Sequence, residues 1–163
     1  MKIQPGTALY AILLGGLIGG SIDIGSAAVI NGFSPVVIMH AIASGLLGGD
    51  SFKGGMPTAI AGVLLQWAMA LIIAAIYVGV MSRLPELRRR WAFSGTVAGV
   101  IIFFVMNYLV VPLSAAPFRP EFSVHGFMTV FKPDKFVENL MAMILFGLIL
   151  AFFAKGIGAE RKS

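Results

Sequence analysis

Four stretches of this 163-residue chain run for about 20 residues or more and are mostly apolar, long enough to cross the ~30 Å hydrocarbon core of a bilayer as helices. They place spans at about 8–30, 57–82, 91–111 and 134–155. A soluble protein with a large core is the alternative, and composition argues against it. The chain is 58% hydrophobic and 12% charged, against about 45–50% apolar and about 25% charged in soluble domains. The expected fold is all-α, a single integral membrane domain with four transmembrane helices and one shorter helix after the first.

Span 1 carries Gly15, Gly16, Gly19, Gly20 and Gly25, two overlapping pairs spaced one turn apart. Gly15, Gly19, Asp23 and Ala27 follow at i, i+4, i+8 and i+12, so a smooth face and a carboxylate share one side. Glycine faces let another helix backbone approach closely. Asp23 is the anomaly. Ten Leu, Ile, Val or Phe residues between 8 and 30 supply about −3 to −6 kcal/mol of insertion free energy, and a central Asp costs about 2.5–3.5. It therefore needs hydrogen-bond partners or a proton. The apolar run is also too long for a secretory signal and lacks an Ala-x-Ala pattern, so a retained span is expected.

Residues 31–56 hold an apolar segment too short to span, opened by Ser34-Pro35 as N-cap and first helical residue and stopped by Gly48-Gly49. This predicts a re-entrant or interfacial helix over about 35–47 with His40 in its middle. Span 2 contains Gln66 and Trp67, and span 3 contains Asn107 and Tyr108 and ends at Pro112. Between them Arg83, Arg88, Arg89 and Arg90 mark a short hairpin connection. The connection from Leu113 to Pro133, with three prolines and Phe118, Phe122, Phe127 and Phe131, is expected along the membrane surface.

The formal charge of +5 is explained by residues flanking spans, so no nucleic-acid partner is expected; the bilayer is the partner the sequence requires. Lys2, Arg83, Arg88, Arg89, Arg90, Lys155, Arg161 and Lys162 fall on one side of a four-span topology, and Lys53, Arg119, Lys132 and Lys135 on the other. That bias puts both termini in the cytoplasm.

Counting 1.5 Å per residue from the outer ends of the spans brings Asp23, Gln66 and Asn107 within roughly 6 Å in depth. Asn139 lies slightly above them, and His40 joins if the short helix dips inward. Two readings follow. One is a proton or solute site with Asp23 as the titrating or cation-binding group and the others orienting it. The other is interhelical hydrogen-bond glue, about 0.6 kcal/mol per contact. Ser21, Ser26 and Ser94 read as small helix-contact residues, and Trp67, Trp91 and Tyr108 as interfacial or packing aromatics.

Enzyme and metal chemistry find no footing in these residues. There is no cysteine, His40 and His125 have neither Glu-x-x-His nor His-x-x-x-His spacing, and Ser44, His40 and Asp50 lack a nucleophile elbow. No cofactor or metal is expected, and His125 reads as an exposed group of the last connection.

From about Gln66 onward, three stretches appear in order: Ala-Ile-Tyr-Val-Gly-Val-Met-Ser-Arg-Leu-Pro-Glu-Leu, Ser-Gly-Thr-Val-Ala-Gly-Val, and Asn-Tyr-Leu-Val-Val-Pro-Leu-Ser-Ala-Ala-Pro. Over this half of the chain the sequence resembles the YagU-like family of small bacterial inner-membrane proteins. The resemblance implies a bacterial inner membrane and four helices, with no activity to carry over. The functional expectations are a permeation or proton-linked transport protein built around Asp23, or a structural or accessory subunit. In the second, the glycine faces mediate a homo-oligomer or hold a membrane-protein partner.

Overall fold

The computed structural model describes residues 5–117 and 133–157, and the regular elements among them are helical. They are α1 (Pro5–Asn31), α2 (Pro35–Leu47) with a 3₁₀ turn after it (Gly48–Lys53), α3 (Gly55–Arg83), the one-turn α4 (Pro85–Arg89), α5 (Trp91–Leu113) and α6 (Pro133–Ala154). Most of the connection expected to lie along the membrane surface, with its phenylalanines and His125, falls outside the described residues. So do Lys2, Arg161 and Lys162.

Five of these segments are long and apolar enough to cross a membrane: Thr7–Asn31, Pro35–Lys53, Gly55–Arg83, Trp91–Leu113 and Lys135–Ala154. The second reaches 19 residues only by adding the 3₁₀ turn, which carries Asp50 and Lys53. The 13 residues of α2 are about 20 Å long, short of the bilayer core. Its start follows from local chemistry: the Ser34 side chain accepts the Val37 N–H and Pro35 occupies the first helical position. Gly48, at φ 65°, ends it in a backbone conformation that a residue with a Cβ adopts only with strain.

Helix α1 lies centrally, packed between α3 and α6; α6 in turn holds α5, and α2 rests on α3 and α1. In α3 the inward face reads Ala59, Gly62, Gln66, Ala70, Ala74, Tyr77 and Met81, all buried at helical spacing. Its outward face carries Ile60, Leu64, Ile72, Ile76 and Val80, all exposed. Both faces are largely apolar and differ in size over most of their length: from Ala59 to Ala74 the inward face is small apart from Gln66, whereas the outward one is large throughout. Such a broad exposed apolar surface is untenable in water and suited to acyl chains.

The glycines of α1 are divided between two neighbours. A Cβ at Gly15 or Gly19 would meet Leu150 or Phe146 of α6, whereas one at Gly16 or Gly20 would meet Leu71 or Ala70 of α3. All four are buried. Their small-residue faces are therefore occupied within the chain, which corrects the expectation that they stand exposed for oligomer contacts. Close approaches also occur between α2 and α3, where a Cβ on Gly62 would run into the Met39 backbone, and between α5 and α6, where a Cβ on Gly95 would lie 2.8 Å from the Gly147 carbonyl and one on Gly99 would run into the Met143 and Ile144 backbone.

At the end of the bundle where α3 passes through α4 into α5, Tyr77 Oη and Ser94 Oγ are hydrogen bonded at 2.8 Å and buried. Arg83 donates to the Gly79 carbonyl at 3.1 Å. Lys155 lies 3.8 Å from the Phe152 ring centroid and 5.0 Å from that of Trp91. Arg83, Arg88, Arg89, Arg90 and Lys155 thus gather at one end. Lys53 and Lys135 stand at the starts of α3 and α6, at the other.

Candidate functional site: a cavity with a polar wall

Toward the end away from α4 a partly open cavity of about 590 Å³ lies among α1, α2, α3, α5 and α6. Helix α1 contributes Asp23, Ile24 and Ala27; α3 contributes Leu65, Gln66 and Met69 among others; α6 contributes Asn139, Ala142, Met143 and Phe146. The α2 face that lines it is Ile38, Ala41, Ile42, Gly45 and Leu46, a spacing of i, i+3, i+4, i+7 and i+8 that marks one side of a helix. Four of the five residues expected in a polar layer, Asp23, Gln66, Asn107 and Asn139, line this cavity.

The connection that orders the wall is direct. Gln66 Nε2 donates to Asp23 Oδ2 at 2.6 Å, joining α3 to α1. Next to it Trp67 Nε1 donates to Ser21 Oγ at 3.1 Å, and Ser21 in turn donates to the Leu17 carbonyl at 2.8 Å. Asp23 therefore belongs to the α1–α3 seam, beside Gly16 and Gly20. The expectation that Asp23 shares the Gly15–Gly19 side is corrected by its bond to Gln66 of α3, since Gly15 and Gly19 face α6. A row of i, i+4 positions drifts by about 40° per step on a helix of 3.6 residues per turn. Two steps carry Asp23 about 80° from Gly15, to within about 20° of Gly16.

The two asparagines are held differently. Asn107 Nδ2 donates to the Phe103 carbonyl and Asn139 Nδ2 to the Lys135 carbonyl, each at 2.8 Å and each one turn back in its own helix. Neither of these bonds ties one helix to another. The amides stand on the cavity wall and are oriented by their own backbones.

Asn107 also sits in an irregular turn. Residues Met106–Val110 are π-helical, with the Val111 N–H reaching back five residues to the Met106 carbonyl. Pro112 lacks an N–H and its ring crowds the carbonyl four residues earlier, and the widened turn accommodates both effects. Such turns widen a helix locally and recur at functional sites. After Leu113 the chain folds back, Ala115 N–H donating to the Gly45 carbonyl at 2.9 Å, and Ser114 and Ala116 join the cavity lining.

His40 is not on this wall. Two residues on from Ile38, it points about 200° away from the cavity-lining face of α2, toward α3. There its Nδ1 lies 3.0 Å from Thr58 Oγ1, and the Ser51 hydroxyl donates to its carbonyl at 2.9 Å. Thr58 Oγ1 is also placed to donate to the Ser51 carbonyl, at 2.8 Å. This cluster ties α2, the 3₁₀ turn and the start of α3 together.

On the α4 side the cavity ends at Ala70, Ile73, Ile102 and Phe146. Beyond that floor the bundle is filled by Ala74, Tyr77, Val78, Leu150 and Ala151, all buried in one cluster. Among the described residues, Asp23 is the one charged or titratable side chain of the lining. The sequence reading missed the three lining methionines, Met69, Met106 and Met143, which apolar runs conceal. It also left unused the Gly95-x-x-x-Gly99 pattern, whose spacing alone marks a close helix crossing. Compared with known proteins, the chain matches no family model, no curated protein and no solved structure.

Proposed function

We propose that the protein is a multi-pass membrane protein that binds and moves a proton or a small solute through a polar site around Asp23. The observation that carries this reading is the cavity of about 590 Å³ that reaches the Asp23–Gln66 pair. A carboxylate that served only to join helices would be expected in a closed seam; this one stands on the wall of a space large enough for a ligand. The packed floor toward α4 makes the site reachable from one side in this arrangement, so passage requires α3 and α5 to change their separation at that floor.

In this reading α2 is a short re-entrant or interfacial helix, four helices span, and both termini face the cytoplasm of a bacterial inner membrane. The gathering of arginines at the α4 end and the resemblance from Gln66 onward support that placement. No enzymatic role is proposed.

The test is reconstitution in lipid vesicles with a pH gradient. Asp23→Asn keeps an acceptor for Gln66 Nε2 and removes the titrating group, and it should abolish pH-dependent flux; flux equal to the wild type overturns the reading. Among the described residues no other titratable side chain lines the cavity, so Asp23 is the source of pH dependence they offer. The second reading is a structural or accessory subunit, with a second copy or a membrane-protein partner held elsewhere on its surface. The interhelical Asp23–Gln66 and Trp67–Ser21 bonds favour it. It expects Asp23→Asn to lower the melting temperature in detergent while no flux is seen in either protein.

A further inference from the structure

The lining of the cavity constrains what it can hold. Among the described residues no lysine, arginine or histidine stands on it, and the one charge they place there is the Asp23 carboxylate. An anionic guest would therefore meet only repulsion. Gln66 engages Oδ2 and Oδ1 has no protein partner among the described residues, so one carboxylate oxygen remains to face a guest. Apart from Gln66, Asn107, Ser114 and Asn139, the rest of the described lining is apolar, with two aromatic rings, Phe103 and Phe146, and three methionine side chains. Aromatic faces attract cations, and thioethers adapt to irregular apolar shapes.

A bare metal ion does not suit this wall. Calcium and magnesium take six or more oxygen ligands, and no group of three His, Cys, Asp or Glu side chains among the described residues is placed to hold a metal. The volume of about 590 Å³ falls within the roughly 300–1,000 Å³ of sites that take drug-sized organic molecules. Charge, wall chemistry and size point to the same class.

Accepting the cavity as the functional site, we propose that its ligand is a monovalent lipophilic organic cation. Its charge pairs with Asp23 Oδ1, its apolar body lies against Met69, Met143, Phe103 and Phe146, and Asn107 and Asn139 meet its polar edges. Proton and cation then compete for one carboxylate, so loading one releases the other.

The experiment uses the full chain in lipid nanodiscs, titrated calorimetrically with tetraphenylphosphonium and, in parallel, with the neutral triphenylphosphine oxide. The expected result is saturable one-to-one binding of tetraphenylphosphonium, weakened about tenfold or more in Asp23→Asn because a partly desolvated charge pair is lost. Asp23→Glu, which keeps the charge, should bind within a few-fold of the wild type, showing that loss in Asp23→Asn is loss of charge and not of fold. The neutral probe should not distinguish wild type from Asp23→Asn. Equal binding of cation and neutral probe, or cation binding untouched by Asp23→Asn, overturns the assignment and leaves a lipid-filled void. Binding with no transport of the cation in vesicles supports the ligand class and removes the transport reading. A pH-dependent flux lost in Asp23→Asn with no cation binding overturns the ligand class and leaves the transport reading standing.

Discussion

The hydrogen bonds that polar side chains make inside this bundle are specific, and their values differ. Tyr77 and Ser94 share a buried bond that joins α3 to α5 at the α4 end, and Ser94 Oγ also lies 3.0 Å from the Trp91 carbonyl. Tyr77→Phe leaves Ser94 that second partner, so the expected loss is one ordinary hydrogen bond, about 0.5–1.5 kcal/mol. Thermal unfolding in detergent reads it, and an unchanged midpoint would show that the bond contributes nothing to stability. At this scale the sequence was informative about Asp23, Gln66, Asn107 and Asn139, because polar groups are conspicuous in apolar runs and depth along a helix follows from counting residues. Counting gives depth without azimuth. His40 was misplaced for that reason: which way it points depends on how α2 seats on α3, and the contact of the Met39 backbone with Gly62 is a tertiary fact.

Among the elements, helix identity follows from hydrophobic run length, while helix neighbours are decided by small residues. Two glycine substitutions separate these effects. Gly99→Leu would drive a side chain into the Met143 and Ile144 backbone, which cannot rotate aside. It should abolish the α5–α6 packing and leave aggregated or protease-sensitive protein, read by size-exclusion chromatography. Gly25→Ala, in a helix and with nothing within 4 Å of the added Cβ, should stabilise by about 0.5–1 kcal/mol. If Gly99→Leu eluted and melted as wild type, the assigned crossing would be wrong. The end of α5 was legible to within a turn because proline is a strong punctuator. The π turn before it was not, since a proline near a helix end is tolerated in several ways and neighbouring contacts choose among them.

For the whole molecule, the antiparallel order of α3, α5 and α6 sends the α4 arginines to one end and Asp50 to the other. The chain has no cysteine, so single introduced thiols report topology cleanly. Asp50→Cys should react with a membrane-impermeant maleimide on intact cells and Glu86→Cys only after permeabilisation; both side chains are more than three-quarters exposed. The reverse pattern would invert the proposed topology. The α5–α6 crossing has a mechanical consequence. Glycine meets backbone at the crossing itself, with the ring pairs Trp91–Phe152 and Phe103–Phe136 on either side of it, so tilt about the crossing slides one ring of each pair past the other. Tyr77–Ser94 tethers the short arm of α5. The long arm, from Gly99 to Leu113, measures about 21 Å, so each degree of tilt displaces Leu113 by about 0.4 Å. A tilt of about 5° thus moves that wall of the cavity by about 2 Å. Small angular freedom at a glycine contact becomes a change in aperture at the Asp23 end.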